Sequence, residues 1–77
     1  MALSLLLGAL ALLTGCRAAE CRQMAACCDA VAGMEGLGGA CAGLAADTRD
    51  PTTCQAVTRN IRYMLEDRAM EIPAACQ

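Results

Sequence analysis

Six cysteines spread over residues 21–76, namely Cys21, Cys27, Cys28, Cys41, Cys54 and Cys76, decide what this chain can fold into, because little else in it can build a core. Among its 77 residues there is no Phe or Trp and only one Tyr. Buried volume must therefore come from Ala, Leu, Val, Ile, Met and cysteine. Below about 70 to 80 residues a single apolar core rarely supplies more than about 3 to 5 kcal/mol, whereas one disulfide contributes about 2 to 4 kcal/mol. An even set of cysteines in so short a chain reads as three disulfides wherever the compartment is oxidising.

The chain carries seven cysteines in all, and the odd one, Cys16, closes an uncharged apolar run over residues 2–13. Crossing a hydrocarbon core as a helix takes about 20 residues, so a run of about a dozen matches the apolar part of a secretory signal instead. The only positive group ahead of it is the N-terminal amine, where such signals carry Lys or Arg. Ordinary signal cleavage needs small residues at the first and third positions before the cut. A cut after Ala19 would put Arg17 at the third position, which disfavours that route.

Leu13, Thr14, Gly15 and Cys16 offer another route: an aliphatic residue, two small residues and a cysteine. This resembles the lipobox of bacterial prolipoproteins, and the match covers the first sixteen residues. The resemblance implies removal of residues 1–15 as a signal peptide, lipidation of Cys16, with palmitate among the fatty chains, and a cysteine-rich domain over 16–77. It also implies that Arg17, rather than Asp, after the lipidated residue directs the protein to the outer membrane. Each buried methylene contributes about 0.8 kcal/mol and one chain holds only marginally, so two or three chains make a firm anchor. Setting Cys16 aside for lipid leaves the even count of six.

The domain shows helical rather than strand periodicity. Over residues 17–32, Cys21, Met24, Cys28 and Val31 recur at steps of three and four, with Cys27 on the flank and Arg22, Gln23 and Asp29 opposite. The glycine-rich stretch at 33–39 breaks this helix. A second helix is expected over 37–46, with Leu37, Cys41 and Leu44 on one stripe; Gly38, Gly39 and Gly43 would let a neighbouring helix approach closely. Asp50 as N-cap and Pro51 at the first helical position start a third helix over 51–70. Its apolar stripe is Cys54, Val57, Ile61, Met64 and Leu65, and Pro73 precedes a short tail that returns Cys76 to the body. The expected fold is all-α, a small disulfide-stapled three-helix bundle following a cleaved helical signal segment.

Six cysteines allow 15 pairings. In an antiparallel hairpin Cys28 and Cys41 stand level, about four residues from the turn at a rise of about 1.5 Å per residue. The first and third helices then run parallel, which sets Cys21 near Cys54 and leaves Cys76 for Cys27. Pairing of Cys41 with Cys54 across the second turn is the alternative.

The sequence holds no His, the usual general base and the commonest metal ligand. It also lacks the Cys-X-X-Cys spacing of structural zinc sites and redox pairs. No cofactor or metal is expected, and no catalytic residue can be named. Asp47 and Asp50 fit turn and capping chemistry, and Glu66 with Arg62 fits a helix-surface pair. Six arginines are balanced by eight acids, and aromatic residues are almost absent, so nucleic acid is not an expected partner. The expectation is a non-catalytic bacterial envelope lipoprotein, structural or protein-binding, whose protein partner the residues do not identify. Tyr63 on the polar side of the third helix reads first as a partly exposed tyrosine without a role, and as a contact residue only second. Without lipid on Cys16 the chain would instead be a secreted disulfide-rich peptide, an inhibitor or toxin.

Overall fold

Cysteine and methionine at helical spacing give the first described element its buried face: α1 (Ala19–Ala30) turns Cys21, Met24, Cys27 and Cys28 inward and leaves Arg22, Gln23 and Asp29 in water. The computed structural model describes residues 17–77, so the expected signal segment and Cys16 lie outside the described residues. The helix starts on the Ala18 carbonyl, which accepts from the amides of Cys21 and Arg22, both at 3.0 Å. Glu20 in its first turn complements the positive end of the helix dipole.

Where the sequence predicts helix to residue 32, regular structure stops at Ala30 and successive turns fill 31–37. The Val31 carbonyl accepts from Met34 and the Met34 carbonyl from Gly38, each at 2.9 Å. Val31 and Leu37 stay buried across this turn, so the chain reverses without leaving the core. Gly36 supplies the left-handed step, with φ of 80°.

The second helix, α2 (Gly38–Asp47), buries little besides Gly38 and Cys41. Leu44, expected on its inward stripe, is 45% exposed. Only one of its three glycines serves close approach, and the neighbour is backbone of the preceding turn rather than another helix. A Cβ on Gly38 would lie 2.7 Å from the Ala32 carbonyl carbon, while Gly39 and Gly43 face open space.

The third helix, α3 (Pro51–Asp67), starts as the sequence predicts, with Pro51 at the first position. The Asp50 carboxylate accepts from the Thr53 amide at 2.9 Å and the Thr53 hydroxyl at 2.8 Å. These two bonds, the amide first, hold the Asp50 carboxyl below its ordinary value. Cys54, Ile61 and Leu65 are buried. Thr58 joins them at 7% exposure, because its hydroxyl donates to the Cys54 carbonyl at 3.0 Å and so satisfies itself inside the helix. Val57 is only half-buried and Met64 is 43% exposed, so the apolar stripe is narrower than its pattern suggests.

Helix α3 ends at Asp67, three residues short of the predicted end, and no glycine marks the place. Ala69 takes φ of 53°, the Met70 amide donates to the Leu65 carbonyl at 2.9 Å, and the Ala69 amide donates to that of Glu66 at 3.0 Å. This bond pair is a Schellman cap built on alanine. A 3₁₀ turn (Ala74–Cys76) after Pro73 then brings buried Cys76 to the body.

The described residues form an all-helical bundle with α1 as its centre, against which α2, α3 and the terminal turn all pack. One core joins them: Met24, Val31, Leu37, Ile61 and Leu65, with all six cysteines of the domain.

Candidate functional site

All six thiols of the domain are consumed in three bridges. Cys21 joins Cys54, Cys27 joins Cys76 and Cys28 joins Cys41, with Cα separations of 4.9, 4.8 and 5.2 Å. Cys41 and Cys54 are not joined to each other. Each bridge has one foot on α1, because adjacent Cys27 and Cys28 point about 100° apart and reach different neighbours. All six sulfurs are buried. The residues that would have to supply thiolates to a metal are therefore spent, and no cluster of three or more metal-ligating side chains occurs among the described residues.

Around the Cys21 to Cys54 bridge one end of the bundle gathers the start of α1, the close of α2 and the start of α3. The Cys54 sulfur lies 3.8 Å from the Thr48 carbonyl oxygen. Arg17 ties this end together: its Nη2 donates to the Ala45 carbonyl, and its own carbonyl accepts from Arg22 Nη1 at 3.2 Å. Ala45 belongs to the last turn of α2, where helix carbonyls lack intrahelical partners and no basic residue of α2 is present. A cation there also meets the negative end of the helix dipole. Nε of Arg17 is buried without a hydrogen-bond partner among the described residues. Sequence reasoning reads Arg17 only through its place beside the possible processing sites and misses this clamp. No signal in one sequence connects residue 17 to residue 45.

Two surface depressions flank α3. Because α2 and α3 are each bound to α1 rather than to each other, an apolar groove of about 190 Å³ remains between them, walled by Leu37, Ala40 and Leu44 on one side and Val57, Ile61 and Met64 on the other. On the opposite flank a polar recess of about 130 Å³ is lined by Gln23, Gln55, Arg59, Arg62 and Gln77. Within it Gln23 Nε2 donates to the Gln77 carbonyl at 3.0 Å, which fastens the terminal turn.

Tyr63, the candidate contact residue, is 51% exposed, with the Arg62 guanidinium carbon 5.4 Å from its ring centroid. Arg62 also faces Glu66 at 3.8 Å. Both pairings are partly solvated: the ion pair contributes a few tenths of a kcal/mol and the cation–π contact about 0.5 to 1 kcal/mol. No helix among the described residues is long and apolar enough to cross a membrane. No protein-family model matches the chain, and no curated protein and no solved structure is significantly similar to it.

Proposed function

We propose that this chain is a small non-catalytic lipoprotein of a bacterial envelope, anchored through lipid on Cys16 and displaying its stapled domain as a structural or protein-binding module. The observation that carries the reading is a tally. The motif Leu13, Thr14, Gly15, Cys16 supplies a thiol suited to lipidation, and the six later cysteines close among themselves, so none of them is left to bond Cys16. The outer membrane is the proposed destination, because Arg17 rather than Asp follows the lipidated position. Partners are then the membrane, through the lipid, and a protein engaged by the exposed domain.

Intact mass of the protein purified from bacterial membranes tests the reading, with thiols alkylated before and after reduction. Expected are loss of residues 1–15, a lipid increment that vanishes in Cys16→Ala, and six cysteines that alkylate only after reduction. A full-length species without lipid, or Cys16 found bonded to another sulfur, overturns it.

A further inference from the structure

We infer that the bundle is held flush against the lipid surface in one orientation, with the end that gathers Arg17, the close of α2 and the start of α3 turned to the headgroups. The inference rests on the proposed anchor at Cys16 and goes beyond it, since an anchor alone does not orient a domain. A flexible tether of n residues would let a domain wander by about 5 to 6 Å times the square root of n. Among the described residues there is no such tether, because the first of them, Arg17, is already gripped at both its side chain and its carbonyl. One Cα–Cα step of about 3.80 Å separates the proposed attachment point from Arg17.

The clamp also fixes which surface meets the membrane. Arg17 is bonded to the last turn of α2, and the Cys21 to Cys54 bridge sets the opening turns of α1 and α3 side by side. Residues 44–53 therefore lie around the anchor point. They include Leu44, exposed at this end of the apolar groove, and Arg49, which forms no ion pair among the described residues. The cap of α3 at 68–70 forms the distal end, about 25 Å away by the rise of a 17-residue helix, and the turn at 31–37 lies about 18 Å away by the rise of the 12-residue α1. Charge on the anchored end is balanced, with Arg17, Arg22 and Arg49 against Glu20, Asp47 and Asp50. Orientation then comes from the clamp rather than from attraction to anionic lipid. The groove between α2 and α3 stands upright with its far opening away from the bilayer.

Paramagnetic relaxation of backbone amides tests this on the lipidated protein in phosphatidylcholine nanodiscs doped with a gadolinium-chelating lipid. Lipid on Cys16 is first verified by mass on the same sample. Relaxation enhancement is expected to be greatest at residues 18–22 and 48–53. Over the ~25 Å length of α3 it should fall more than about tenfold towards 68–70, and less steeply towards 31–37. The gradient should persist at high salt. Arg17→Gln should flatten it at least twofold while leaving the lipid increment and the helical circular dichroism unchanged. A lipidated sample with a flat profile, or an undiminished gradient in Arg17→Gln, overturns the inference alone. A sample without the lipid increment overturns the anchor and the inference together.

Discussion

Removing the bridges one at a time should destabilise the domain in an order set by how much chain each one closes. The sequence separations are 49 for Cys27 to Cys76, 33 for Cys21 to Cys54 and 13 for Cys28 to Cys41. When one bridge is cut the other two remain and provide shortcuts. These reduce the first path to about 29 residues and the second to about 21, and leave the third unchanged; loop-closure entropy then gives losses of about 3.6, 3.3 and 2.9 kcal/mol at 25 °C. All six sulfurs are buried, so paired Cys→Ala changes create cavities of similar chemistry at each site, and the loop term governs the ranking. A spread of about 0.7 kcal/mol corresponds to roughly 3 to 6 °C in Tm for a domain of this size. Thermal unfolding followed by far-ultraviolet circular dichroism should place Cys27→Ala/Cys76→Ala lowest and Cys28→Ala/Cys41→Ala highest among the three double variants. Full reduction should abolish the cooperative transition. The reasoning fails if the Cys28/Cys41 variant is the least stable, or if the fully reduced protein melts where the oxidised one does.

Three further changes probe single features. Gly38→Ala drives a Cβ against the Ala32 backbone and should cost about 1 to 3 kcal/mol, whereas Gly43→Ala in open space should stabilise by about 0.5 to 1 kcal/mol; equal Tm shifts of the same sign would contradict this. Ala69→Gly relieves a left-handed alanine in the cap of α3 and should raise stability by about 0.5 to 1 kcal/mol in urea unfolding, and a fall would refute the cap assignment. Asp50 has its pKa lowered on folding by the Thr53 amide and hydroxyl. Its stabilising effect is therefore full above the ordinary carboxylate value of about 3.9 and is lost as pH falls through the folded value. Acid titration of Tm should be steeper in the wild type than in Asp50→Asn, and identical profiles would exclude the cap as the cause.

Sequence periodicity made α1 and α3 legible, because cysteines, methionine and aliphatic residues at steps of three and four mark a helix face, and Asp50 with Pro51 marks a helix start. The width of the buried stripes was not legible. Reading Leu44 and Met64 as inward presumes that α2 and α3 pack against each other, whereas the cysteines fasten both to α1 and leave those side chains beside an open groove. Thr58 escapes notice because a hydroxyl counts as polar until its bond to the Cys54 carbonyl is seen. The end of α3 is hidden for a related reason: a left-handed alanine leaves no mark in the letters, as a glycine would. The sequence shows Cys16 and Arg17 as neighbours, but the reach of Arg17 to Ala45 is a property of the fold alone.

Because every covalent staple has a foot on α1, the bundle is wired like a hub with spokes. Helix α2 depends on a single sulfur, a single close-packed glycine and the Arg17 bond to its last turn, and α3 on one sulfur and a handful of inward positions. Nearly all the outward letters of both helices are thus free to drift without endangering the shape. Such a design can change its outward surface wholesale while the frame that presents it stays the same.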